Sequence, residues 1–245
     1  RQARPIVVDA VEEEDLRQLA LALIRAEQVR SRFVYRVGPP FVRARVGQEV
    51  HAPLTPKEIA ASRGNRDVSP GGLIVIGSHV GLTTRQLNEL RSRCHPLELE
   101  IDVVTAADDD SREAHLAELV DTAAAGLTDG NVVVRTSRTL LTGANADDSL
   151  AISRKISAAV VDVVKGIVTR VAPSFIIAKG GITSSDVASK ALGIRRAAVA
   201  GPMLPGIVSL WFGQDGLAAG IPYIVFAGNV GTDQSLADVV DKLAP

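Results

Sequence analysis

From Pro70 onward, short runs of branched aliphatic residues alternate with longer segments whose apolar residues recur at helical spacing. Residues 73–76, 97–103, 131–134, 175–178 and 223–226 read as strands. Helices are predicted over 84–93, 111–125, 148–171, 187–193 and 233–243. In the longest, Ile152, Ile156, Val160, Val163, Ile167 and Val171 share one face. Residues 197–199 and 207–208 add two weaker strand signals. Repeated strand–helix units predict an α/β fold: a mostly parallel sheet with helices on both faces. Composition agrees, because apolar residues make up 46% of the chain but aromatics only 3%, so the core must be aliphatic. That is the material of buried parallel strands.

The first 70 residues have a different texture. Residues 6–9 and 33–35 are predicted strands flanking a helix over 12–30. Glu12, Glu13, Glu14 and Asp15 place negative charge in the first turn of that helix, where it suits the dipole. Residues 37–70 read as loop because of Gly38-Pro39-Pro40, Gly47, Pro53, Pro56 and Gly64. A domain boundary is expected there, with 1–65 the tail and linker of a preceding domain and 66–245 a second domain. Residue 1 is Arg1 and Met203 is the only methionine, so a part of a longer polypeptide is expected.

Charge and cysteine content narrow the functional classes. The net charge is −1 with mixed signs, so no global basic field points to nucleic acid or an anionic membrane. No apolar run approaches the roughly 20 residues of a membrane span, and no secretion signal opens the chain. Cys94 is the only cysteine, which excludes an internal disulfide and fits a cytoplasmic location.

Ligands of such sheets bind beyond the carboxyl ends of the strands. Three of these ends carry small polar turns: Gly77-Ser78-His79-Val80-Gly81, Lys179-Gly180-Gly181-Ile182-Thr183 and Gly228-Asn229-Val230-Gly231-Thr232. Glycine permits close backbone approach, and bare amides with hydroxyls favour an anion, phosphate above all. The structural alternative at the second turn is a helix capped by Thr183, with capping-box spacing to Asp186. The Gly-x-Gly-x-x-Gly, Walker-type and Gly-x-Ser-x-Gly signatures are absent. His51, His95 and His115 lack zinc-ligand spacing, and His79 reads as a loop residue. Asp108-Asp109-Asp110 reads as helix N-terminal charge rather than a magnesium site. Cys94 beside His95 shows no sign of thiol activation.

The segment 175–236 resembles the C-terminal part of the four-carbon acid sugar kinases, ATP-dependent kinases of tetronates and 3-oxo-tetronates. The resemblance rests on Lys179-Gly180-Gly181-Ile182-Thr183-Ser184, Leu204-Pro205-Gly206-Ile207 and Phe226-Ala227-Gly228-Asn229-Val230-Gly231. Gly77-Ser78 with Thr83-Thr84 matches an earlier serine turn of that family, and Val7-Val8-Asp9-Ala10 resembles the end of its N-terminal domain. The family's Asp-Asp-x-Thr-Gly motif does not occur here. The resemblance implies two α/β domains, the first binding the acid sugar and the second the nucleotide. This chain would be the nucleotide half plus a remnant of the preceding α/β domain.

By the same resemblance, ATP and Mg2+ are the expected ligands. Ser78, Gly180, Gly181, Ile182, Thr183 and Gly228 are the expected ATP contacts, with Lys179, Asn229 and Gly231 as further candidates. Many members carry an acid where Ile182 stands. The implied reaction is phosphorylation of the sugar's terminal hydroxyl, so the expected enzyme is a phosphotransferase with an alcohol acceptor. The catalytic base and the carboxylate clamp are assigned to the other half, and no catalytic or metal-binding residue is named in this chain. A non-catalytic nucleotide- or phosphosugar-binding module stays open beside this reading. An exposed face over residues 1–60 would favour a homo-oligomer.

Overall fold

The structure is a computed structural model that describes residues 4–63, 66–139, 141–205 and 208–244. It divides into two compact units, Arg1–His51 and Ala52–Pro245. In the first, α1 (Glu13–Gln28) opens with a capping box in which Asp15 Oδ2 accepts from the Glu12 amide at 3.0 Å. It packs against α2 (Pro39–Val46), where Ala20 and Phe41 are buried and Glu13 and Glu27 pair with Arg43 and Arg45. Neither predicted strand forms: residues 4–11 and 31–38 are irregular, and Val7 is 88% exposed. A strand needs a partner for its backbone groups; in this unit Tyr35 packs against Phe33 and Phe41 and donates to Glu27.

The second unit begins with α3 (Pro56–Ser62), capped by Thr55 and Glu58. Both α2 and α3 fall where a loop was predicted. Pro39 and Pro56 stand in the first turn of each helix, where proline's fixed φ and missing N–H do no harm. Leu54 and Ile59 are buried, and the Leu54 amide donates to the Pro202 carbonyl at 2.8 Å. The second compact unit starts at Ala52.

The elements then run β1 (Leu73–Ile76), α4 (Gly81–Cys94), β2 (Leu97–Ile101), α5 (Val103–Ala107), α6 (Arg112–Gly126), β3 (Val132–Thr136), α7 (Ala146–Arg170), β4 (Ile176–Lys179) and α8 (Gly181–Asp186). A π-helical turn (Val187–Ala191) continues α8, followed by β5 (Ala197–Pro202), β6 (Ser209–Gly213), β7 (Pro222–Phe226) and α9 (Ser235–Leu243). The predicted strand over 97–103 is shorter than expected, because Asp102 accepts from the Thr105 amide and starts α5. Of the weaker strand signals, 197–199 falls within β5, which pairs antiparallel with β6 at the sheet edge; of 207–208, Ile207 lies outside the described residues, as does Gly206, and Val208 precedes β6.

The described strands make a seven-stranded sheet in the order β2-β3-β1-β4-β7-β6-β5, with the first five parallel. Alternate residues feed two cores. Leu73, Val75, Ile176 and Ala178 join α6, α7 and the π-helical turn, whereas Ile74, Ile76, Ile177 and Phe226 join α4 and α9. The chain thus leaves β1 and β7 toward one face and leaves β4, between them, toward the other. That reversal opens a crevice at the carboxyl ends of these strands.

At the far edge, Glu98 on β2 accepts from Arg91 Nε at 2.6 Å and Nη2 at 2.7 Å, and also pairs with Arg135 on β3. Arg91, then Arg135, hold the Glu98 carboxyl down to about 2 from its ordinary 4.5. A lowered carboxylate pKa contributes stability that is complete above about pH 4.5 and disappears as pH falls toward 2. Glu98→Gln should therefore lose about 1–2 kcal/mol at pH 7 and flatten the acid limb of the stability curve. Urea unfolding at pH 7 and pH 3 measures this; a variant that tracks the wild type in parallel would refute the role given to Glu98.

Candidate functional site

The crevice is built by three turns in contact. β1 ends at Ile76, and ladder pairing continues one residue further, the Gly77 amide donating to the Lys179 carbonyl at 3.2 Å. β4 does the same toward β7, with the Gly180 amide donating to the Phe226 carbonyl at 2.9 Å. The turns therefore start from fixed backbone. Side chains at two of the glycines would overlap the neighbouring turn: a Cβ on Gly77 would collide with Thr183 Oγ1, and one on Gly228 with Ser78 Oγ. Thr83 Oγ1, buried on α4, lies 3.1 Å from both Ser78 Oγ and the Gly228 carbonyl and joins the first turn to the third.

Gly180 has φ +124°, a conformation that side-chain-bearing residues avoid, and it is the N-cap of α8. Thr183 lies within the first turn of the helix rather than at its N-cap, so the capping-box alternative does not hold, and Asp186 instead accepts from Ser157 and pairs with Lys190. The amides of Gly181, Ile182 and Thr183 fall in the first turn of α8, where a helix offers no acceptor of its own. Ser184 anchors that turn by donating to the Ala178 carbonyl at 2.6 Å.

Ser78, Gly180, Gly181, Ile182, Thr183, Gly228 and Asn229, with Gly77 and Val80, line one cleft of about 340 Å³. Ile182 is 77% exposed on its rim. α4 also opens into the cleft, beginning beside Val80 with no side-chain cap. Among the described residues, no carboxylate lines the cleft. A wider groove of about 430 Å³ between α6 and α7 is walled by helix interiors, whose amides are already bonded, and no strand ends in it.

Two sequence candidates stand apart. Gly231, with φ +87°, is set back against Ser235 and Gln86. Gln86 donates to the carbonyls of Val230 and Thr232 at 3.0 and 2.7 Å and so holds the third turn from beneath. Its role escaped sequence reading, because a glutamine inside a helix carries no signal of its own. Lys179 is 0% exposed and faces inward on the α4 side of the sheet. Its Nζ donates to the Ala227 carbonyl at 3.2 Å and sits 4.0 Å from the centre of the Phe226 ring. Lys179 is a buried support for the third turn, away from the cleft surface. Beside the first turn, Arg138 Nη1 donates to the Ser78 carbonyl at 3.3 Å, and burial and Arg138 push His79 down from its ordinary pKa.

Burial pushes Lys179 down to about 8 from 10.5. Between these values the unfolded chain binds more protons than the folded one, so stability rises with pH across this window and falls as pH drops through 8. The rise should be at most on the order of 3 kcal/mol and should vanish in Lys179→Met. Chemical denaturation at pH 7.5 and pH 9.5 tests this; an equal rise in both proteins would assign the effect elsewhere.

A family model for a nucleotide-binding C-terminal domain matches residues 73–236, which include all three turns. No curated protein matches the chain. Among solved structures, a domain of unknown function (DUF1537) from Bordetella bronchiseptica, a domain-swapped dimer with bound citrate, is similar at 22% identity and TM-score 0.59, over 96% of this chain and 52% of that one. A Haemophilus influenzae protein of the DUF1537 family is similar at 19% identity and TM-score 0.57, over 96% and 52%. A Salmonella typhimurium LT2 protein, provisionally described as a tRNA synthase, is similar at 19% identity and TM-score 0.61, over 94% and 50%. The chain spans about half the length of these proteins. At such identities the likeness speaks for the fold, and the fold is that of the DUF1537 proteins. Residues 73–236 make up most of the chain, and it belongs to the family of nucleotide-binding C-terminal domains.

Proposed function

We propose that this chain supplies the nucleotide-binding half of a kinase that transfers the γ-phosphoryl group of ATP to the terminal hydroxyl of a four-carbon acid sugar, a tetronate or 3-oxo-tetronate. The carrying observation is the meeting of three glycine turns in one acid-free cleft, inside a stretch that matches a nucleotide-binding domain. The choice of acid sugar rests on the resemblance of the three turn sequences to that kinase family. The provisional tRNA synthase description of one structural relative does not bear on the reaction, because 19% identity speaks for the fold alone.

On this reading the first-turn amides of Gly181, Ile182 and Thr183 donate to phosphate oxygens, and the α4 N-terminus adds its positive end. Ser78, Thr183 and Asn229 supply side-chain hydrogen bonds, and Gly228 lets the third turn approach closely. Gly180 contributes its backbone shape, since its amide is engaged with Phe226. Ile182 and Val80 offer apolar surface at the rim. Such a site works by positioning and by stabilising charge. The lining has no carboxylate, and no group of three His, Cys, Asp or Glu gathers among the described residues. Mg2+ arriving with the nucleotide would therefore be held by phosphate oxygens and water, not by this chain.

The acid sugar and the base that accepts its hydroxyl proton are assigned to a preceding domain. Residues 1–65 would be the tail and linker of that domain. No helix among the described residues is long and apolar enough to cross a membrane. A cytoplasmic enzyme that self-associates is part of the proposal.

Thermal unfolding with and without millimolar Mg-ATP and Mg-ADP tests the nucleotide reading. Ligand at about 100 times its dissociation constant should stabilise the fold by about 2.7 kcal/mol. Gly181→Asp should abolish the shift with little change to the unliganded protein, because no heavy atom lies within 4 Å of where its Cβ would stand. Stabilisation by a sugar phosphate with none from either nucleotide would overturn the reading in favour of a phosphosugar module.

A further inference from the structure

We propose that Arg138 reads the terminal phosphate of the nucleotide, a role that rests on the nucleotide reading of this cleft. Arg138 follows β3, and β3 flanks β1 on the side away from β4 and β7. The guanidinium therefore reaches the first turn from the flank opposite the other two. Its Nη1 donates to the carbonyl of Ser78, a cleft-lining residue, which ties the cation to the wall of the cleft.

The charge balance around it is uneven. Arg91 pairs with Glu98, and Arg135 pairs with Glu98 and Glu100. Arg138 has no carboxylate partner among the described residues. Partial burial, followed by the charges of Arg135 and Arg91, disfavours its cationic form, so an anion brought beside it would be stabilised. Among the described residues the cleft lining offers amides but no side-chain cation, and Lys179 is turned inward.

A nucleotide's charge is greatest at its last phosphate. A guanidinium with one N–H engaged retains further donors in a planar fork that suits two phosphate oxygens. The cation on this flank thus complements the most charged end of ATP, leaving the amides of Gly181, Ile182 and Thr183 for the phosphates nearer the nucleoside.

Calorimetric titration of AMP, ADP and ATP at fixed Mg2+ into wild type, Arg138→Ala and Arg138→Lys tests this. Arg138 is exposed, so the variants should unfold at the wild-type temperature without ligand. Arg138→Ala should weaken ATP about tenfold or more and AMP less than about twofold, with Arg138→Lys between wild type and alanine for ATP. Equal loss for all three nucleotides, or no loss, overturns the assignment and leaves the nucleotide reading standing. A wild-type protein that binds none of the three overturns both.

Discussion

Two hydrogen bonds set the geometry on which everything else in this structure depends. The amide of Gly77 reaches the carbonyl of Lys179, and the amide of Gly180 reaches the carbonyl of Phe226. They carry parallel pairing one residue past β1 and β4, so that the turns leave the sheet side by side from rigid backbone. Chain direction then separates them: β1 and β7 send their helices to one face and β4 to the other. The crevice between is a consequence of topology, and the glycines let its walls close to contact distance. Where a side chain would intrude, at Gly77 and Gly228, the space is already taken by Thr183 and Ser78.

Electrostatically, this region favours an anion over a cation. Acids are absent from the cleft lining among the described residues, and two helices begin at it without side-chain caps. The cations are divided between two tasks. Lys179 lies beneath, bonded to the Ala227 carbonyl and stacked on Phe226, and is part of the scaffold. Arg138 lies at the surface, attached to the outer side of the first turn. The hydrogen bonds of Gln86 and Thr83 to the third turn continue the same pattern, in which α4 supports both turns on its side of the sheet.

The parallel sheet and its helices were legible because buried strands of Val, Ile and Leu and a long amphipathic helix such as α7 carry strong periodic signals. Prolines misled the reading of residues 37–63. Pro39 and Pro56 resemble loop punctuation in a sequence but begin helices α2 and α3, because first-turn positions need no N–H. The predicted strands at 6–9 and 33–35 rested on β-branched and aromatic residues, which lower the free energy of a strand only when a neighbour pairs with it. At the candidate site the small polar turns were visible as glycine and hydroxyl clusters. Thr136-Ser137-Arg138 lacks glycine and carries no such signal.

The sequence alone determined where the five parallel strands lie, that the sheet would be largely parallel, and that glycine turns would follow three of its strands. These are local matters of side-chain size, branching and backbone freedom. Tertiary structure alone decided that the three strands are neighbours, that Lys179 points into the core while Gly181 faces the cleft, and that Arg138 meets Ser78 across 60 residues. Strand order follows from how helices pack on the two faces. The direction of a side chain at a strand end follows from register. Neither is written in any one segment, because both depend on contacts between residues far apart in the chain.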